Sequence, residues 1–165
     1  MSLVAIMKLI LMKKRRYIPD LVDAMADCDA NYIRLMKLHG WNLEKDHLLF
    51  AIPLGGNGGE EAQVEIRVVE RCPYTTMLVL SVGSPRIDDW IKWPVLEIRV
   101  YHDLRTAEVV SYANHRQIQY RYEYPNPCMY QPDEKSQTNK YLGELLTFCI
   151  NHGHSVEYRM TEYQH

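Results

Sequence analysis

The residues with the most chemical potential fall in three short segments. Tyr101, His102, Asp103 and Glu108 lie around one reverse connection, and Arg121 and Tyr124 precede a proline-rich turn. Asp133, Glu134, Lys135, Gln137 and Asn139 follow within seven residues of one another. A histidine oriented by a carboxylate is the usual makeup of a general base, so His102 with Asp103 or Glu108 is the pair to weigh first. Against it, no serine or cysteine stands beside the pair in the sequence. Strand neighbours also point to opposite faces of a sheet, which separates adjacent side chains. The simpler expectation is a network at the end of a hairpin. There His102 bonds to backbone, Asp103 caps the turn and Glu108 pairs with Arg99 or Arg121. Asp133 and Glu134 are then charges at a helix N-terminus. A polar patch against a sheet must be hydrogen-bonded or lose about 1–3 kcal/mol per group. Such a density of polar residues therefore marks either a ligand site or a structural network.

Metal and nucleotide chemistry find less support. The four cysteines, Cys28, Cys72, Cys128 and Cys149, are widely spaced and form no CxxC pair. His152 and His154 are a close pair, but nothing nearby completes a four-ligand zinc set. We expect neither metal nor cofactor. Gly55-Gly56-Asn57-Gly58-Gly59 lacks the Lys-Ser/Thr of a phosphate loop, and Glu60 and Glu61 follow it, so it reads as a hairpin loop. Nucleotide binding through Arg121 and the start of the last helix is a third, weaker possibility.

The elements that must position these residues follow from hydrophobic periodicity. Leu96, Ile98 and Val100 alternate with Glu97 and Arg99, and Ala107 and Val109 alternate with Thr106 and Glu108. That period of two predicts a hairpin over Trp93–Ser111 with one buried face, joined by His102–Arg105. Leu48–Ile52 and Val64–Val68 predict two further strands. Met77–Val82, an almost continuous apolar run, predicts a central one. Ile118, Tyr120, Tyr122 and Tyr124 alternate with polar residues and suggest a last strand. Pro19-Asp20 opens a helix in which Leu21, Met25, Cys28, Tyr32, Leu35 and Met36 form the apolar stripe, ending at His39-Gly40. A final helix opens at Asp133-Glu134, buries Tyr141, Leu142, Leu145, Leu146, Cys149 and Ile150, and stops at Asn151-His152-Gly153. Trp90 and Trp93 sit in a connection and read as a lid on the core. The fold class is α+β: an N-terminal helix, an antiparallel sheet of about five strands, and a C-terminal helix packed on the sheet.

The chain of 165 residues is 47% apolar and 24% charged, a composition suited to one compact domain. A net charge of -2 argues against a protein built to neutralise phosphates, so no nucleic acid is expected. The run Lys13-Lys14-Arg15-Arg16 reads as a solvated flank. Residues 1–12 are too short to span a bilayer and carry their basic run after the apolar stretch, the reverse of a secretory signal. We therefore expect an N-terminal extension over residues 1–12, a single domain over 13–153, and a polar, fraying tail over 154–165. Unpaired cysteines in a chain this size point to reduced thiols, no membrane and a cytoplasmic protein.

Several of these segments together carry a resemblance. Tyr17-Ile18-Pro19-Asp20, Tyr74-Thr75-Thr76, Arg99-Val100-Tyr101-His102-Asp103 and Ala107-Glu108-Val109 are similar to the YqiB-like bacterial proteins, a domain of unknown function. The likeness runs on through Arg121-Tyr122-Glu123-Tyr124-Pro125-Asn126, then Asp133-Glu134-Lys135 with Gln137 and Asn139, to His152-Gly153. The extension over 1–11, the glycines at 55–59 and the longer tail depart from the pattern, and Met12 would be the start that it suggests. The resemblance implies a small cytoplasmic bacterial protein and supplies no mechanism. Two functions are consistent with the residues. One is a small non-catalytic binding or adaptor module that holds a protein or small-molecule partner. The other is a small hydrolase or transferase with an acid–base pair drawn from His102, Glu108 and Asp133.

Overall fold

The computed structural model describes residues 20–40, 43–55, 59–83, 95–113 and 132–156. Asp20 caps the first helix, α1 (Leu21–His39), by accepting a hydrogen bond from the Val22 N–H at 2.9 Å. Gly40, at φ 92°, ends it in a conformation that suits glycine, and its N–H bonds the Met36 carbonyl at 2.9 Å. Five strands follow: β1 (His47–Pro53), β2 (Glu61–Arg71), β3 (Thr75–Gly83), β4 (Val95–Tyr101) and β5 (Thr106–Ala113). A second helix, α2 (Pro132–His152), leads into a two-residue strand, β6 (His154–Ser155). Pro132 occupies the first helical position, where its missing N–H costs nothing.

The six described strands are antiparallel in the order β5-β4-β3-β2-β1-β6. From β1 to β5 each strand lies beside its neighbour in sequence. The register brings Leu48, Ile66, Leu80, Leu96 and Tyr112 into one row, and Val68, Leu78, Ile98 and Val109 into the next. Ile66, Leu78, Leu80, Leu96 and Ile98 are fully buried. Tyr32, Leu35 and Met36 of α1 and Leu142, Leu145 and Leu146 of α2 complete the same core. The hairpin, the central β3 and the apolar face of α2 are thus as the sequence predicts. Ile150, expected among the buried residues of α2, is only half-buried, in the last turn of the helix. The segments carrying Trp90 and Trp93, and Ile118 to Tyr124, lie outside the described residues.

Two expectations need correction. The α1 stripe is buried only in its second half: Leu21 and Met25 are 72% and 60% exposed, although they share the face of Tyr32 and Leu35. The helix runs beyond the core that its C-terminal half fills. Secondly, His154 and Ser155, expected in a fraying tail, pair with Ala51 and Phe50 of β1. Gly153 makes this docking possible, because a Cβ there would stand 2.4 Å from the Cys149 carbonyl oxygen and 3.2 Å from the Phe50 ring.

The helices meet through polar contacts as well as apolar ones. Asn31, fully buried on α1, donates from Nδ2 to the Asn139 carbonyl at 2.9 Å, and Arg34 Nη1 donates to Asn31 Oδ1 at 3.1 Å. Gly143 allows this approach, since a Cβ would come within 2.9 Å of Asn31 Oδ1. A β-bulge leaves Val110 as the extra residue of β5, and beside it the Val109 N–H donates to Asn139 Oδ1 at 2.8 Å. Asn139 therefore ties α2 to both α1 and the sheet. At the far end of α1, Arg71 of β2 bonds the Leu43 and Glu44 carbonyls at 2.7 and 3.3 Å and pairs with Asp46. This clamps the loop between α1 and β1 against the sheet.

Candidate functional site

The exposed half of α1, the outer strand β5 and the first turns of α2 enclose a cleft of about 410 Å³. Leu21, Ala24, Met25, Cys28 and Asp29 form its α1 wall, Thr106 and Glu108 come from β5, and Lys135, Ser136 and Asn139 come from α2. Period-two alternation sets Thr106 and Glu108 on the face opposite Ala107 and Val109, away from the core. Glu108 Oε2 lies 2.7 Å from Lys135 Nζ, and the Tyr101 hydroxyl donates to Glu108 Oε1 at 3.0 Å.

Glu108 and Lys135 neutralise each other in this cleft, while Asp29 on the α1 wall adds an exposed negative charge. Burial alone would raise the Glu108 carboxyl pKa. Hydrogen bonds from Lys135 and Tyr101, with the positive charges of Lys135 and Arg99, outweigh it and hold the group below its ordinary value. Its contribution to stability is therefore complete above the unfolded-state pKa of about 4.5 and is lost as pH falls through the lower folded-state value. Lys135 is 58% exposed, so solvent screening limits the pair to less than about 1 kcal/mol. We expect the melting temperature of Glu108→Gln to approach that of the native chain as pH is lowered from 7 to 3. A gap that stays constant across that range would contradict the assignment.

Cys28 lines the same cleft, a placement the sequence did not signal. Burial, with the Glu108 charge next in effect, pushes its thiol up to about 11, so it is protonated at neutral pH and a poor nucleophile. At pH 8, iodoacetamide is expected to modify Cys28 on the order of 100-fold more slowly than it modifies a free thiol such as glutathione. Peptide mapping by mass spectrometry reads this directly, and labelling of Cys28 at the free-thiol rate would refute it.

Not all of the sequence-selected residues come together. Glu108, Lys135, Asn139 and Tyr101 do. His102 is occupied elsewhere: its Nε2 shares a 2.8 Å hydrogen bond with Thr76 Oγ1, and its ring lies edge-on to Tyr32 with centroids 6.4 Å apart. The His102 N–H donates to the Tyr74 carbonyl at 2.9 Å, so the expected backbone anchor is present in that form. Glu108, by contrast, takes Lys135 as its salt-bridge partner rather than Arg99. Asp103 is exposed, and among the described residues its carboxylate makes no hydrogen bond, so it does not cap the turn. Asp133 and Glu134 stand in the first turn of α2, and Gln137 is half-buried one turn later. Arg121 and Tyr124 lie outside the described residues.

The histidines near the end of α2 also part company. The His152 ring packs on Phe148 at 4.7 Å, and His154 pairs with Glu61 at 3.4 Å. Among the described residues no three His, Cys, Asp or Glu side chains are grouped to hold a metal ion. No described helix is long and apolar enough to cross a membrane. Another polar chain runs over the outer face, where Ser81 Oγ donates to Glu65 Oε2 at 3.4 Å and His47 Nε2 lies 2.9 Å from Glu65 Oε1. In this order the carboxylate separates serine from histidine. The imidazole therefore has no contact with the hydroxyl it would need to activate.

Comparison with known proteins gives a family and no activity. Residues 34–155 match the family model described as "Protein of unknown function (DUF1249)". The chain is 32% identical over 146 residues to the uncharacterised protein YqiB of Escherichia coli strain K12, an alignment covering 84% of this chain and 94% of that one. YqiB of Escherichia coli O157:H7 matches to the same extent. No solved structure matches the chain at a significant level.

Proposed function

This chain belongs to the DUF1249 family of proteins of unknown function, and from that premise we propose that it is a non-catalytic binding module whose ligand seats in the cleft between α1, β5 and α2. One observation carries the reading: Glu108, Asn139 and Cys28, the groups of the cleft best suited to chemistry, are already engaged or protonated, while its apolar wall is open and Asp29 on that wall is exposed. Glu108 is paired with Lys135, Asn139 is spent on the Val109 N–H, and the Cys28 thiol stays protonated. Leu21 and Met25 remain 72% and 60% exposed beside them. A general base is most effective with a pKa near the working pH, and Glu108 is shifted in the opposite direction. The hydrolase or transferase alternative draws its acid–base pair from His102, Glu108 and Asp133, and of these the His102 imidazole is bonded to Thr76. The free thiols of Cys28, Cys72 and Cys149 suit a reducing compartment, so we place the module in the cytoplasm. The acidic first half of α1 makes nucleic acid an unsuitable ligand.

The test is an amide NMR titration of the full chain with a library of small neutral apolar fragments. Shifts confined to Leu21, Met25, Cys28 and Thr106 are the expected result. Fragments that leave these amides unmoved, or that perturb His47, Glu65 and Ser81 instead, would defeat the proposal.

A further inference from the structure

We infer that the natural occupant of this surface is a cationic amphipathic helix of a partner protein, laid along α1 from Leu21 to Ile33. The inference rests on the binding-module reading and specifies its ligand. Between Asp20 and Ile33 the sequence holds four aspartates, Asp20, Asp23, Asp27 and Asp29, and no basic residue. Leu21, Val22, Met25 and Ile33 in the same stretch are between 60% and 74% exposed. The spacing 21, 25, 29, 33 sets Leu21, Met25, Asp29 and Ile33 along one ridge of the helix, so a carboxylate sits within an apolar stripe. Asp23 and Asp29 are exposed, and neither has an ion pair among the described residues.

These features select among possible occupants. A small apolar ligand in the cleft would leave Val22 and Ile33 uncovered and Asp29 without a counter-charge. Nucleic acid and anionic lipid are repelled by the same aspartates. A second helix carrying leucines on one face and lysines at the margins buries the ridge and pairs with Asp23 and Asp29. That is the helix-in-groove mode, with complementary charge setting its orientation.

The test uses the full chain and two fluorescent designed helices of about 18 residues, identical except that one carries lysines where the other carries glutamates. Fluorescence anisotropy should give at least about tenfold tighter binding of the lysine peptide at low salt. The difference should shrink as ionic strength rises toward 1 M, where the Debye length falls to about 3 Å. Asp29→Lys, at an exposed position, should cut the preference several-fold with no change in melting temperature. Equal binding of the two peptides, or an unaltered preference in Asp29→Lys, would overturn the proposal. If neutral fragments still move the Leu21 and Met25 amides in that case, only the ligand assignment fails. If neither fragments nor peptides move them, the binding-module reading fails as well. A concentration-dependent dimer that Asp29→Lys abolishes would also overturn it, making the occupant a second copy of this chain.

Discussion

Replacing Asn139 with alanine is expected to lower the unfolding free energy by about 2–4 kcal/mol, although the residue lines the cleft and invites a functional explanation. The side chain is 4% exposed, and its Oδ1 is the acceptor for the buried Val109 N–H. Alanine leaves that donor without a partner in a place water cannot readily reach, which alone costs about 1–3 kcal/mol, and it opens a small void. The Asn31 bond survives because it goes to the backbone carbonyl of residue 139. The lesion should therefore be local. Chemical denaturation would give the magnitude, and hydrogen exchange should report the fastest new exchange at Val109. A variant as stable as the native chain would mean that Asn139 is held for a ligand rather than for the fold.

Ile98→Ala is the second large effect, expected at about 3–5 kcal/mol, with Ile98→Val limited to about 0.5–1.5 kcal/mol. Ile98 is fully buried on β4, where the register sets it between Leu78 on β3 and Val109 on β5. Three deleted carbons leave a cavity bounded by paired strands on both sides. Such a site relaxes little, which places it toward the costly end of the range. Equilibrium unfolding of both variants checks the ratio. Equal losses would show that the sheet collapses around the gap.

Much of the fold was legible because its rules are local. Leu96, Ile98 and Val100 declare their shared face by alternation, and Asp20 and Gly40 mark the limits of α1 by the chemistry of helix ends. Met77–Val82 gives away its central position by being apolar almost throughout. Periodicity, however, says which side of a helix is apolar and not how far along it the core extends. Leu21 and Met25 read the same as Leu35 for that reason. The contacts that build the cleft are non-local: Asn31 meets a carbonyl 108 residues away, and Glu108 finds Lys135 rather than the arginine opposite it in the sheet. Cys28 belonged to a stripe in the sequence and became part of the site only once α1 overran the core. His154 and Ser155 are too few to show an alternation, and it is their pairing with β1 that makes them a strand.

The seam between α1 and α2 has a consequence for how the protein is made. Strands β2 to β5 are each bonded to the preceding one, so that part of the sheet can assemble as the ribosome releases it. The Asn31–Asn139 closure must wait until the last helix leaves the exit tunnel. Until then the row through Ile66, Leu80 and Leu96 has only half its roof, and the nascent chain exposes apolar surface that the finished fold covers. A chain terminated at Gln131 should accordingly bind a hydrophobic dye that the full-length protein excludes.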